Sequence, residues 1–247
     1  MEQKVRNITG NQNNADQAPV TLVDYDAHAA DKITSFILYQ YSALPLAQIR
    51  ENLSRMAEED KKKLIDGYLE KRSNRRHKPW RTFEAADYTF DILANYGIYR
   101  DLQRHRILTQ IRQLLTTDSG FDTPKELEEA GFSGVYKESM HAAKDAFEKI
   151  SKKMPKEAQY VVPMGYRIRW LMKLNLREAF HLCELRTMRQ GHPDYRKVCQ
   201  TMYQKILSVH PWAEMKFVDM KEYGLERIEA EKKLDKKIDE VEKKYGN

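Results

Sequence analysis

The chain has 247 residues, of which 41% are hydrophobic and 32% charged, and its formal net charge is +6. This composition is that of an ordinary soluble globular protein, and the scarcity of Gly and Pro favours long helices. No apolar run approaches the ~20 residues that span a bilayer, so we expect no membrane segment. The mild basic excess favours anionic partners, and both nucleotide phosphates and nucleic acid satisfy it.

The cysteine content and the first residues indicate the compartment. Two cysteines, Cys183 and Cys199, imply no disulfide framework, and both lie among apolar neighbours in helical patterns. We expect them to be buried, inert thiols in a reducing compartment. The first 17 residues are polar and do not resemble a signal peptide. The sequence therefore predicts a cytoplasmic protein.

The N-terminal half alternates strand and helix signals. β-branched residues over 19–25 predict a strand, and apolar residues recur at helical spacing over 27–42. The remaining elements are a polar arm over residues 1–18, a charged helical stretch over 46–71, a basic loop over 71–79, a strand over 86–93 and a helix that begins near Tyr96.

The C-terminal half is mainly helical. Gly120, Pro124 and Gly131 predict a loop-rich middle, and a short apolar segment follows at 160–163. The other predicted elements are helices over 136–153, 175–189 and 194–209, a strand over 167–174, a break at 191–193, and a Lys/Glu-rich helix that occupies the C-terminal part, 223–247.

The first cluster that could carry chemistry is the run Arg104-His105-Arg106. Two guanidinium groups beside an imidazole repel one another unless they are solvated or bind an anion. Arginine donates in a planar fork that matches phosphate. A solvated basic helix end and an anion site both remain open.

The second cluster is Asn175, Arg177, His181 and Arg186. The spacing places Arg177 and His181, and roughly Arg186, near one face of a helix whose other face is apolar. An amide, two guanidinium groups and an imidazole suit a ligand that carries phosphate and a ring. A solvated polar face is the alternative.

Two other kinds of site are disfavoured. His181, Cys183, His192 and Cys199 do not match zinc-ligand spacing, so no metal is expected. The basic residues over 71–81, with Trp80 between them, resemble a nucleic-acid patch. The total charge is low for a dedicated nucleic-acid binder, and a flexible cationic loop is the simpler interpretation.

Several segments together resemble flavin-dependent thymidylate synthases. Arg104-His105-Arg106 resembles the opening of that family's Arg-His-Arg signature. Other resembling segments follow the family's order, at 83–90, 161–163, 175–177, 185–186 and 210–217. The resemblance extends from about residue 20 to 219.

The resemblance implies a fold and a reaction. The fold would be a single α/β (α+β) domain over residues 19–222, with a central mixed or antiparallel sheet flanked by long helices, assembled as a homotetramer. The family uses FAD to convert dUMP to dTMP, with methylenetetrahydrofolate and NADPH as co-substrates.

The resemblance also assigns roles to residues. Arg186 would polarise the pyrimidine and anchor dUMP, which stabilises negative charge developing on the ring. The cofactor-binding residues would be Arg104, His105, Arg106, Asn175, Arg177, His181 and His192. The substrate-binding residues would be Arg104, Arg112 and Arg186.

The sequence departs from the family mainly on the substrate side. The signature serine is replaced by Leu114, and a glutamate two residues earlier by Arg112. Three further positions differ, with Asp101 in place of glutamine, Gln159 in place of the phosphate-gripping arginine, and Ala85 in place of histidine. Three interpretations follow: a thymidylate synthase that holds dUMP differently, a flavin-binding relative acting on another nucleotide, or a non-catalytic paralogous subunit.

Overall fold

The computed structural model describes residues 18–224, together with the single positions Lys4, Ile8, Lys236, Ile238 and Glu240. Most of the predicted arm over residues 1–18 and of the predicted C-terminal helix over 223–247 therefore lies outside the described residues. The division of the chain into arm, domain and tail stays a prediction.

Four antiparallel strands form the sheet of the described region. They are β1 (Val20–Tyr25), β2 (Asp87–Asn95), β3 (Thr109–Arg112) and β4 (Arg167–Asn175), in the spatial order β1-β2-β4-β3. The two central strands pair along their whole length, from Asp87 opposite Asn175 to Asn95 opposite Arg167. The sheet is thus antiparallel, one of the two arrangements that the sequence predicted.

Eight α-helices accompany the sheet in the described residues. They are α1 (Ala29–Gln40), α2 (Leu46–Leu53), α3 (Glu58–Leu69), α4 (Tyr96–Leu102), α5 (Lys125–Glu129), α6 (Ser133–Ser151), α7 (Leu176–Arg186) and α8 (Pro193–Val209). None of the described helices is both long and apolar enough to cross a membrane.

Each central strand runs directly into a helix, and this continuity positions the candidate site. Asn95 ends β2 and accepts a hydrogen bond from the backbone N–H of Ile98, while Asn175 ends β4 and accepts one from that of Glu178. Both side chains therefore cap the N-terminus of the following helix, α4 or α7. Because the strands are antiparallel, the two helices begin at opposite ends of the sheet.

One face of the sheet is the floor of the core. Alternate residues of the central strands, such as Phe90, Trp170 and Met172, are buried with Phe180 of α7 and Met202 of α8 in one cluster. The predicted α/β class and single domain are confirmed. Both cysteines are buried as predicted, and burial raises the pKa of each thiol, to about 12 for Cys199.

Some elements differ from the prediction. The charged stretch over 46–71 forms two helices, because Ser54 ends α2 and bonds its hydroxyl back to the carbonyl of Glu51. The loop-rich middle contains the short helix α5, which ends where Gly131 adopts a φ of 76°. The edge strand β3 was not predicted, since four residues with three polar side chains carry little strand signal.

Candidate functional site

The centre of the candidate site is His105, which lies just after α4 and is 9% exposed. Its Nδ1 lies 2.9 Å from a carboxylate oxygen of Glu178, which is itself buried. Glu178 belongs to the first turn of α7, and its N–H donates to the capping side chain of Asn175 over 2.9 Å. The Asn175 cap thus sets the position of the carboxylate that His105 meets.

Arg186 closes the cluster from the other end of α7. Its Nε donates to Nε2 of His105 over 3.0 Å, and its Nη2 donates to the backbone carbonyl of Asp101 over 3.0 Å. The guanidinium carbon also lies 5.4 Å from the centre of the Tyr195 ring. The structure therefore joins the predicted Arg104–Arg106 run to the predicted helix that contains Arg186.

His181 lies beside this pair. The ring centres of His181 and His105 are 5.5 Å apart. Burial lowers the pKa of His181. The positive charges of Lys78 and Arg75 and the nearby His105 lower this pKa further, while Glu178 raises it. The His181 imidazole is therefore neutral at pH 7.

His105, Glu178 and His181 offer ligand atoms within 4.8 Å of one another, the grouping expected around a metal ion. The hydrogen bonds argue against that use. A neutral imidazole has one N–H and one lone pair, and here Nδ1 faces the carboxylate while Nε2 accepts from Arg186. Both ring nitrogens of His105 are engaged, and Arg186 adds positive charge beside them. The chemistry of this cluster favours an anion over a cation.

The basic loop over 71–79 is fastened to α7 rather than free. Arg177 donates from Nε to the carbonyl of Pro79 over 2.8 Å and from Nη1 to Glu84 over 3.2 Å. At the other end of the loop, Arg72 is buried and forms a bidentate salt bridge with Glu184. The loop thus brings Arg75 and Lys78 close enough to influence His181 electrostatically.

The two arginines that flank His105 have different environments from it. Arg104 is exposed and forms an ion pair with Asp101, one turn earlier. Arg106 is also exposed. Their side chains are therefore accessible to an anionic ligand, whereas His105 is enclosed between them.

His192 is connected to the His105 cluster through Tyr195, since the ring centres of His192 and Tyr195 are 6.3 Å apart and Arg186 lies over the Tyr195 ring. His192 caps α8, with its Nδ1 3.3 Å from the N–H of Asp194, and it lines a cleft of about 1090 Å³. The acidic residues that line this cleft are Asp101, Asp122, Glu126, Asp194 and Glu222. Lys125 also lines the cleft, but the acidic residues outnumber it, and their charge opposes phosphate binding there.

Arg112 contacts a different group of residues. It lies on β3 and donates to the side-chain oxygen of Gln159 over 3.3 Å, and the same oxygen accepts from the N–H of Leu115 over 3.0 Å. Leu114 is 56% exposed between them. Three departures from the family pattern therefore lie together at the sheet edge, and Leu114 does not seal a pocket there.

Sequence reasoning missed Glu178 and the carbonyl of Asp101. Glu178 follows Asn175 by three residues, the spacing of a helix-capping box. That spacing, together with the apolar residues beside Glu178 in α7, is the signal that could have identified a buried carboxylate.

The sequence of this chain is similar to a known protein family and to several known proteins. The sequence profile of the family described as thymidylate synthase complementing protein (Thy1) matches residues 21–212. The chain is 41% identical over 214 residues to a UPF0159 protein of Chlamydia muridarum, covering 86% of the chain and 40% of that protein. It is 39% identical over 214 residues to a UPF0159 protein of Chlamydia pneumoniae, with the same coverage.

A UPF0159 protein of Thermoplasma acidophilum is 35% identical over 218 residues, covering 86% of the chain and 44% of that protein. The chain thus spans about two fifths of the length of the curated relatives that it matches. The matched region, 21–212, contains the sheet except for its first residue, Val20, together with the Arg104–Arg106 run and all of α7. The chain belongs to the thymidylate synthase complementing protein family.

Proposed function

We propose that this protein is a flavin-dependent thymidylate synthase, which methylates dUMP to dTMP with methylenetetrahydrofolate and NADPH. The observation that supports this function best is the placement of Arg186. Its guanidinium group is held by His105 and by the carbonyl of Asp101, at the point where α7 meets the Arg104–Arg106 run. A fixed positive group of this kind stabilises negative charge that develops on a pyrimidine ring.

The residues present fit an anionic cofactor such as FAD. Arg104 and Arg106, which flank His105 in the chain, are exposed, and the anchored loop brings Arg75 and Lys78 toward His181. Guanidinium groups are the preferred partners of phosphate oxygens. We propose that Arg104, Arg106 and Arg177 hold the diphosphate and that His181 faces the ring system. FAD would supply the redox chemistry of the reaction.

Two of the predicted cofactor residues support the site indirectly. His105 is enclosed, and both of its ring nitrogens are occupied by Glu178 and Arg186. Asn175 directs its side-chain oxygen to the N–H of Glu178. We propose that these two residues hold the site in shape, while the exposed Arg104 and Arg106 and the half-exposed Arg177 make the cofactor contacts.

Self-association is part of the proposal. Three apolar side chains, Val23, Leu171 and Ile111, are at least one-third exposed on β1, β4 and β3. Exposed apolar surface on a sheet is typical of an interface. We propose that the protein forms the homotetramer that its family resemblance implies.

The departures at the sheet edge favour a second candidate. Arg112 and Gln159 are bonded to each other where the family carries a glutamate and a phosphate-gripping arginine. A carboxylate replaced by a guanidinium reverses the local charge and suits a different nucleotide. The second candidate is therefore a flavoprotein of the same fold that acts on a nucleotide other than dUMP.

An absorption spectrum and a dUMP titration test both candidates. The purified protein should show the visible absorption bands of a bound flavin. Addition of dUMP should perturb these bands, and supply of methylenetetrahydrofolate and NADPH should yield dTMP. Flavin bands without a response to dUMP would favour the second candidate. A colourless protein that binds no added FAD would refute both.

A further inference from the structure

Glu178 is a buried carboxylate whose role the proposed reaction leaves open. It is 6% exposed, at the first turn of α7, and its Oε1 lies 2.9 Å from Nδ1 of His105. A buried carboxylate is costly unless a donor compensates it. The two residues are 73 positions apart in the chain, so the contact joins α7 to the segment that carries the Arg-His-Arg run.

The contacts of His105 fix the position of its proton. A carboxylate accepts hydrogen bonds, so the imidazole proton lies on Nδ1 and points to Glu178. The lone pair of Nε2 then accepts the Nε–H of Arg186 over 3.0 Å. The opposite tautomer would place an N–H against the Nε–H of Arg186 and would break that contact.

We propose that Glu178 is a positioning residue, which orients the guanidinium group of Arg186 by fixing the tautomer of His105. This inference rests on the proposed function, since it takes Arg186 as the group that meets the pyrimidine. Glu178 touches neither substrate nor cofactor in this scheme. Its negative charge stabilises the Nδ1–H tautomer of His105. This tautomer leaves a lone pair on Nε2, which accepts the hydrogen bond from Arg186.

Asn175 and Asp101 hold Glu178 and Arg186, respectively, in place. Asn175 accepts from the N–H of Glu178, which fixes the first turn of α7. The carbonyl of Asp101 accepts from Nη2 of Arg186 over 3.0 Å, so the guanidinium group is held at two points. A planar group held at two points has a defined direction as well as a defined place.

Glu184 provides a matched control on the same helix. It is also buried in α7, but it pairs with Arg72 rather than with His105. Glu178→Gln and Glu184→Gln each remove one buried negative charge from α7 and keep the side-chain shape. A general loss of packing would affect both variants alike, whereas the proposed role is confined to Glu178.

The first test is NMR of the full chain labelled with ¹⁵N at histidine and arginine. In the unmodified protein we expect the Nδ1–H tautomer of His105 and an Arg186 Nε–H protected from solvent exchange. In Glu178→Gln the neutral amide can turn its NH₂ group toward Nδ1, so we expect the Nε2–H tautomer to become populated and the Arg186 Nε–H to lose protection. In Glu184→Gln both signals should remain. An Nε2–H tautomer in the unmodified protein would overturn the proposal, as would unchanged signals in Glu178→Gln.

The second test is the rate of dTMP formation. Displacement of a positioned group by about 1 Å costs on the order of 10²-fold in rate, so kcat/KM for dUMP should fall by about that factor in Glu178→Gln. Flavin content should stay the same in Glu178→Gln, which separates a loss of positioning from a loss of cofactor. An unchanged kcat/KM, or a fall in kcat/KM that only follows a loss of flavin, would overturn the positioning role.

The two tests separate this inference from the proposed function. If the unmodified protein forms no dTMP, the proposed function fails, and the NMR measurement still decides whether Glu178 sets the tautomer of His105 and the order of Arg186. If dTMP forms but Glu178→Gln leaves both the tautomer and kcat/KM unchanged, the inference fails and the function stands.

Discussion

Arg72 and Glu184 form a buried bidentate salt bridge, with Nη1 and Nη2 of the arginine 2.9 and 2.5 Å from the two carboxylate oxygens. The same guanidinium group lies 5.1 Å from the centre of the Phe180 ring and donates from Nε to the carbonyl of His77. This pair fastens the start of the basic loop to α7, and Arg177 fastens its end at Pro79. The loop is therefore part of the site's framework.

The first prediction concerns this anchor. Arg72→Met leaves Glu184 buried without its partner, which costs about 3–5 kcal/mol of unfolding free energy. Urea denaturation measures this cost. Arg55→Met is the control, because Arg55 lies just after α2 and pairs with Glu51 on the exposed surface, where such pairs contribute at most about 1 kcal/mol. Equal losses in the two variants would contradict a buried, structural role for Arg72.

The second prediction concerns Arg186. Arg186→Lys removes the Nε donor to His105 and the planar fork that also reaches Asp101. We expect the rate of dTMP formation to fall by about 10²-fold or more, the typical cost of losing one charge-stabilising donor. Arg189→Lys, three residues further along and exposed, should change the rate by less than about twofold. Retained flavin absorbance in both variants would show that the loss concerns the reaction and not the fold.

The third prediction concerns the altered signature position. Leu114 is 56% exposed, so Leu114→Ser should change the unfolding free energy by no more than about 0.5 kcal/mol. Leu115 is 6% exposed, and Leu115→Ser should cost at least about 2 kcal/mol. Thermal or urea denaturation of the two variants checks this difference. A large cost at Leu114 would mean that its side chain is covered in solution, for example by a second subunit.

The sequence predicts helices and central strands well because their signals are local. The capping residues Asn95 and Asn175, and the apolar alternation of β2 and β4, lie within single windows of the chain. The contact between His105 and Glu178 joins positions 73 residues apart, so no local pattern contains it. The edge strand β3 could not be predicted from a local pattern either, because it is a strand through its pairing with β4 and not through its own composition.

The candidate site was predictable as residue types but not as contacts. Spacing and family resemblance selected Arg104–Arg106 and the face of α7 that bears Arg177 and His181. The structure adds the fact that His105 is enclosed while its flanking arginines are exposed. Burial of one residue in a charged run depends on the position of Glu178, which only the tertiary fold supplies.

The last prediction concerns pH and the second buried histidine, His210. It is 5% exposed, its Nδ1 lies 2.7 Å from the hydroxyl oxygen of Tyr88, and its ring packs against Trp212. Burial lowers the pKa of His210, and the nearby Asp26 opposes this only in part. The folded state therefore binds this proton less readily than the unfolded state does, for which a histidine pKa of about 6.5 is usual.

The sign of the pH effect follows from that difference. Above pH ~6.5 the neutral imidazole is favoured in both states, and its contribution to stability is fully present. As the pH falls below ~6.5 the unfolded state takes up the proton first, so the unfolding free energy falls until the pH reaches the lowered pKa of the folded state. His181 has a lowered pKa too and adds to the same slope.

Urea denaturation at pH 7.5 and pH 5.5 measures the effect. His210→Gln should lower the unfolding free energy at pH 7.5, because the hydrogen bond to Tyr88 changes. It should also make the fall in unfolding free energy between pH 7.5 and pH 5.5 smaller, because glutamine takes up no proton. His77→Gln is the control, since His77 is exposed in the basic loop. An unchanged pH slope in His210→Gln would contradict a neutral, buried His210 as a source of acid sensitivity.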